Sequence, residues 1–289
     1  MQRFTVTLVA VACLCSLFTF AQAQSTANLP NKYVWWGTAQ IAAGKYDLNT
    51  KLLAQFRDAT ATVAPDVYWI AGAPITGDDG RITYVTFHDN MASVEKMMAA
   101  FDKVGQAVTA KNADYNTQAA EAAPTAHWVL AEYSKELSYR PDLVPLSNTT
   151  WWVSNLFTLK SGCEYEFAEV VKQVADVHKK AGDNDHWTGY EIRGGYPEPA
   201  VLFVTTLRSL ADLDQEPPAA QKEMFESAPM RQMFQKIGKE CIAHIESTYS
   251  RVEPTLSRMP QSVIAANPDF WTIKEEAPAV TPKKGKTKQ

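Results

Sequence analysis

Tyr33-Val34-Trp35-Trp36-Gly37-Thr38-Ala39-Gln40-Ile41 and Trp151-Trp152-Val153-Ser154-Asn155-Leu156-Phe157-Thr158-Leu159 decide the fold, because they are two versions of one segment. Each opens on a tryptophan pair and continues in aromatic, β-branched and small residues, a composition that suits a strand. Working outward, Tyr68-Trp69 matches His186-Trp187, and Val85-Thr86 matches Val204-Thr205. Further on, Leu137-Ser138-Tyr139-Arg140-Pro141 matches Leu256-Ser257-Arg258-Met259-Pro260, with a separation that drifts by three residues and then holds. Self-similarity held in register predicts two copies of one structural unit.

Within the first copy the strand at Tyr33–Ile41 is followed by Leu48, Leu52, Phe56, Ala59 and Val63 at helical spacing. Strands at Val67–Ile70 and Arg81–Phe87 follow, joined across the turn residues Gly77-Asp78-Asp79-Gly80. Ser93 is the expected N-cap of a helix whose apolar face runs from Val94 through Phe101 to Val108, and His127–Tyr133 closes the unit as a strand. The second copy repeats the order: a strand at Trp151–Leu159, a helix over Phe167 to Val177, and strands at His186–Arg193 and Ala200–Leu207 around Gly194-Gly195. A helix through Met233, Phe234, Ile237, Cys241 and Ile245 and a last strand near Tyr249–Thr255 complete it.

The order β-α-β-β-α-β describes an α+β, ferredoxin-like unit, an antiparallel sheet with helices on one face. Large aromatics on both sheet faces predict that the two sheets cover each other. The chain therefore resembles the dimeric α/β-barrel superfamily, with both halves fused in tandem. That group includes antibiotic-biosynthesis-type monooxygenases, stress-responsive barrel proteins, NIPSNAP-like proteins and haem-binding chlorite-dismutase-like proteins. The resemblance covers Tyr33 to about Pro260, rests on element order and duplication, and implies a fold rather than a set of active residues.

Outside this body, Arg3, the apolar run Val6–Phe20 and Ala21-Gln22-Ala23 read as a signal peptide cleaved after Ala23, so a periplasmic or secreted protein is expected. Lipidation at Cys13 or Cys15 is the alternative. The expected organisation is a signal peptide over 1–23, repeats over 24–146 and 147–265, and a disordered Lys-rich tail over 266–289. At 46% hydrophobic and 11% aromatic residues the chain can bury a core. The formal charge is −4, and Arg3, Lys283, Lys284, Lys286 and Lys288 lie in the leader and tail, so the body is more acidic still and a nucleic-acid partner is not expected. No later stretch is apolar and long enough to span a membrane. Cys163 and Cys241 remain after cleavage; an oxidising compartment permits a disulfide if their Cα atoms lie about 6 Å apart, which the sequence leaves open.

For chemistry, alternation puts Trp187, Gly189, Glu191 and Arg193 on one face of a strand. Inside a barrel such a face could bind an aromatic ligand, with Glu191 as proton acceptor and Arg193 stabilising an anion; the other reading is an intrasheet ion pair. Trp36 shares a face with Thr38 and Gln40, and Trp152 with Ser154, a semi-polar aromatic surface suited to a cavity or to plain core. Trp36, Trp152, Trp69 and Trp187 are thus the ligand-binding candidates. His88 beside Asp89 is a candidate base or axial ligand, or else a turn residue. Asp183-Asn184-Asp185 lacks the later ligands of a calcium loop and reads as a solvated turn, while His178 and His244 read as interface or surface residues. No His-Glu-x-x-His, Cys-x-x-Cys, Gly-x-Ser-x-Gly or phosphate-cradling glycine loop is present in the sequence.

The leading expectation is a site for a small aromatic or apolar molecule, for binding alone or for an oxidation that needs no cofactor, as among the monooxygenase relatives. A haem protein using His88, His178 or His186 as ligand is the second, and an envelope protein that works through its surface and tail is the third.

Overall fold

The structure, a computed structural model, describes residues 31–77, 80–215 and 218–273. The expected signal peptide and the lysines of the expected tail lie outside the described residues. Alternation along β1 (Tyr33–Gln40) puts Val34 and Trp36 on one side and Trp35 on the other, and the same division of faces runs through the chain. After β1 come α1 (Tyr46–Val63), β2 (Ile70–Pro74), β3 (Arg81–His88), α2 (Met91–Lys111), α3 (Tyr115–Ala122) and β4 (Thr125–Tyr139). The second half has β5 (Trp151–Leu159), α4 (Glu164–Ala181), β6 (Trp187–Gly194), β7 (Ala200–Leu207), α5 (Pro218–Gln221), α6 (Ala228–Glu240) and β8 (Ile242–Val252), then the short α7 (Gln261–Ala266) and α8 (Pro268–Trp271).

The eight antiparallel strands close into one barrel in the order β1-β3-β2-β8-β5-β7-β6-β4. Each half supplies four adjacent strands, β4-β1-β3-β2 and β8-β5-β7-β6. The halves join edge to edge, β2 to β8 and β4 to β6, so no strand edge of the sheet is left to pair elsewhere. Even-numbered side chains of β1 and β5 face the lumen, where Val34, Val85, Trp152, Tyr190 and Leu202 belong to one core cluster. The outer faces are covered by helices. Ile41, Ala71 and Ile82 pack with Leu53 of α1, and Val201 and Phe203 pack with Phe167 and Val171 of α4 and Ile237 of α6.

Several element boundaries differ from the sequence expectation for local reasons. Asn90, not Ser93, caps α2: its side chain accepts the Ser93 N–H at 3.0 Å, while the Ser93 hydroxyl donates back to the Asn90 carbonyl at 2.6 Å. The second strand runs over Ile70–Pro74 rather than Val67–Ile70. It uses Gly72 because a Cβ there would stand 2.2 Å from the Trp152 ring. The apolar run Met233 to Ile245 is not one helix. α6 stops at Glu240, and from Ile242 onward β8 pairs with β5, leaving Ile245 exposed. Cys241, at that junction, forms a disulfide with Cys163 at the start of α4, their Cα atoms 5.4 Å apart. Closing a loop this long restricts the unfolded chain by about 4 kcal/mol. The ordered body also extends past residue 265, because Trp271 is buried and its indole N–H donates to the Ser147 carbonyl at 2.8 Å.

The matched motifs Leu137-Ser138 and Leu256-Ser257 form reciprocal clasps between the halves. The Trp69 indole donates to the Leu256 carbonyl and the Trp187 indole to the Leu137 carbonyl, both at 2.8 Å. The Ser257 hydroxyl accepts the Ala71 N–H and the Ser138 hydroxyl accepts the Gly189 N–H, both at 2.9 Å. Each hydroxyl also donates to a carbonyl four residues earlier, Glu253 or Ser134, at 2.7 Å. Each half's last strand is therefore held by the other half's second strand and its tryptophan. Ser257→Ala and Ser138→Ala should each cost about 1–3 kcal/mol, because each strands a backbone N–H. Urea unfolding of both variants should remain a single transition. Two separated transitions in the parent protein, or serine variants without cost, would contradict an interlocked barrel.

Candidate functional site

The lumen is not filled. Between the Trp36–Trp152 pair and one end of the barrel lies a cavity of about 340 Å³. Its walls come from alternate residues of the strands, among them Val34, Ile70, Phe87, Tyr190 and Val204, and it is roofed by the segments around Val144–Ser147 and Met259–Val263. The two indoles meet edge to face with ring centres 6.0 Å apart, and the Trp152 ring lies over Gly72, where any side chain would evict it. The strand periodicity that makes Trp36 and Trp152 lumenal thus also builds the floor of the cavity.

The polar groups around this space are few. The Trp152 Nε1 is buried and has no hydrogen-bond partner among the described residues. The same is true of the hydroxyl of Ser250, its neighbour across the β5–β8 ladder. Such orphaned groups are costly unless something supplies a partner. Tyr190 is fully buried, and desolvation, with Tyr133 alongside, pushes its phenol above the usual range; it therefore stays a neutral hydrogen-bond donor. Asp142, at the exposed rim, is the one carboxylate among the lining residues, which include no His, Lys or Arg.

Trp36 and Trp152 are brought together in the lumen; the other candidates are not. Trp69 borders the cavity beside Tyr68 and Ile70, but its ring packs against Phe56 and Phe101 and its N–H is committed to a clasp. Trp187 lies on the outer face against Tyr139 and His178. Glu191 and Arg193 also point outward, because Tyr190 and Ile192 of the same strand fill the inside. Arg193 bridges Glu191 and Glu132 at 2.8 Å each, and Lys32 completes the group at 3.5 Å from Glu132. Burial works against ionisation of Glu132, but Arg193 and Lys32 hold its carboxyl below the usual range. The intrasheet ion pair, not an acid–base site, is what this face forms.

His88 is buried outside the lumen, its Nε2 2.8 Å from the Thr86 hydroxyl and its Nδ1 3.4 Å from that of Ser93. Burial pushes its pKa down to about 4, against the opposing influence of Asp89 and the Ser93 backbone. His178, expected at the surface, is only 2% exposed. Its Nδ1 lies 2.6 Å from Asp183 and its Nε2 3.3 Å from Asp185, whose pKa burial raises in spite of His178. The supposed solvated turn Asp183-Asn184-Asp185 is therefore the anchor of a buried histidine, a contact that local spacing gave no means of anticipating. The nitrogens of His186 face the Thr206 and Asn184 carbonyls at 2.7 and 3.2 Å. None of these three histidines lines the cavity, and all have engaged nitrogens, so they do not fit the role of axial haem ligands. Among the described residues no cluster of His, Cys, Asp or Glu is arranged to hold a metal, and no helix is long and apolar enough to cross a membrane.

No family model and no curated protein matches the chain. Solved structures with a similar course include chlorite dismutase from Candidatus Nitrospira defluvii in complex with imidazole, 7% identical, covering 85% of this chain and 99% of that one at a TM-score of 0.49. An anthrone oxidase-like protein is 7% identical over 78% of this chain and 93% of that one, with a TM-score of 0.47. A candidate monooxygenase from Fusobacterium nucleatum is 11% identical over 77% and 93%, at 0.46. Neighbours of the kind the sequence pointed to are present, with no one family singled out and no residue assigned a role.

The His88 imidazole is neutral when folded and titrates near pH 6.5 when unfolded, so the unfolded chain binds the extra proton between these values. Stability is fully present above pH 6.5 and should fall as the pH drops toward 4. His88→Gln should remove that part of the pH dependence of urea unfolding. An imidazole that titrates near 6.5 in the folded protein by NMR would refute this.

Proposed function

We propose that this chain binds a small, flat aromatic or apolar molecule carrying a hydrogen-bond acceptor, within the lumen between the Trp36–Trp152 pair and the roof. The observation that carries the reading is the unfilled cavity of about 340 Å³, which falls in the range of small-molecule pockets and is lined by Trp152, whose indole N–H is buried and partnerless among the described residues. Binding is favoured over transformation by the placement of the charged groups. Glu191, Arg193 and His88, the candidates for proton transfer in a cofactor-independent oxidation, all lie outside the lumen, so none of the three is in position for that chemistry.

The barrel is best understood as two tandem ferredoxin-like copies, 24–146 and 147–265. The strand orders 4-1-3-2 and 8-5-7-6 and the paired clasps support this, and an equal cost for the two serine variants is its test. Export to an oxidising compartment is supported by the leader sequence and by the Cys163–Cys241 disulfide. Intact-mass analysis of the protein from the native cell envelope should show a chain beginning at Gln24 with that bond formed; a retained leader or two free thiols would refute export by this route.

The cavity itself is tested with N-phenyl-1-naphthylamine, a neutral aromatic probe. Val204→Trp, which fills the space, should abolish binding, and Trp36→Ala should weaken it about tenfold through the lost aromatic contact. Variants that keep the parent melting temperature and the parent affinity would place the site elsewhere.

A further inference from the structure

The opposite half of the lumen differs in chemistry. A second cavity, about 500 Å³, opens at the end of the barrel where β1 finishes and β3 begins, and Trp36 borders both spaces. In the β1–β3 ladder Thr38 stands opposite Thr83, and in the β5–β8 ladder Ser154 stands opposite Thr248, and all four line this cavity. Thr83 and Ser154, at its floor, are only 5% and 9% exposed. Their hydroxyls make no hydrogen bond to another described residue and are not among the sealed polar atoms, so they open on the cavity, where water or a ligand can partner them. At the rim Arg81 and Glu246 pair at 2.7 Å.

We infer that this well is a second binding site, for a neutral polyhydroxylated ring of monosaccharide size. An anion would compete with Glu246 for Arg81 and a cation with Arg81 for Glu246, whereas a neutral diol takes donors from the guanidinium and acceptors from the carboxylate at once. The threonine and serine hydroxyls both donate and accept, which suits further hydroxyl groups on the ligand. Trp36 and Tyr196 supply flat faces against which the C–H face of a sugar ring packs. The well shares only Trp36 with the lining of the apolar cavity and differs from it in ligand class, so it stands or falls on its own.

The test titrates the full-length mature protein with methyl α-D-glucopyranoside, methyl α-D-mannopyranoside and myo-inositol, read by saturation-transfer NMR and tryptophan fluorescence. Cyclohexanecarboxylate serves as the charged control. At least one polyol should bind more tightly than about 10 mM, and the carboxylate should not. The double variant Thr83→Val, Ser154→Ala keeps side-chain volume and should weaken polyol binding about tenfold, while leaving the affinity for N-phenyl-1-naphthylamine and the melting temperature unchanged. Absence of binding by all three polyols, the result expected of a well that holds water only, overturns the inference. So does polyol binding that ignores the double variant. If either variant proves unstable alone, Thr248→Val carries the same comparison from the rim.

Discussion

The barrel depends on two indole N–H groups that bridge its two seams from outside, Trp69 to the Leu256 carbonyl and Trp187 to the Leu137 carbonyl. A four-stranded sheet of either half would expose the edges of its second and last strands, with rows of unpaired backbone groups. The clasps answer this at the point where the strands are least regular. β2 is short and β4 shifts register against β6, so ladder bonds alone leave gaps there. The serine hydroxyls of 138 and 257 fill them by accepting an N–H from the other half while donating to a carbonyl of their own half. Each half thereby completes the other, and the lumen exists only because both clasps close.

Closure also explains why the interior is hollow in two places. Eight strands make a barrel whose interior large side chains can just fill. Here the large residues concentrate at one level, where Trp36 and Trp152 meet and Gly72 yields its volume to an indole. Above that waist aliphatic and aromatic side chains predominate, with Thr149, Thr188 and Thr206 among them; below it threonine and serine stand beside Leu156, Leu202 and Tyr196, with the Arg81–Glu246 pair and His127. Two short stretches, Trp36 to Gln40 and Trp152 to Thr158, thus set both the partition and the polarity on each side of it, because alternate residues of one strand pass through both chambers.

Much of this was legible in the sequence. The strands of both halves, the shared face of Trp36, Thr38 and Gln40, and the recurrence of Leu-Ser before a proline all follow from spacing alone. What spacing does not contain is which face of a strand looks inward. For β1 and β5 the semi-polar face is the lumenal one, but for β6 the face with Trp187, Glu191 and Arg193 is outside, because Tyr190 and Ile192 pack across the barrel. That choice is made by the neighbouring strand's register, a long-range fact. The same limit applies to His178, which is buried against Tyr139 and Trp187 and whose two carboxylate partners come from a turn that is polar by composition.

The distribution of charge is the last consequence of this geometry. The ionisable clusters, Lys32 with Glu132, Arg193 and Glu191 on one outer face and His178 with its two aspartates on another, all sit outside the wall, where solvent or a carboxylate can compensate them. Inside, the closed sheet has spent its backbone donors and acceptors on its own ladders, so recognition falls to side chains. Those side chains are an indole, a neutral phenol, hydroxyls, the Gln40 amide, the His127 imidazole and the Arg81–Glu246 pair. A lumen of that kind discriminates by shape and by neutral hydrogen bonds. In the apolar chamber the charged group among the lining residues is Asp142 at the rim, so the proposed recognition there rests on shape and neutral hydrogen bonds.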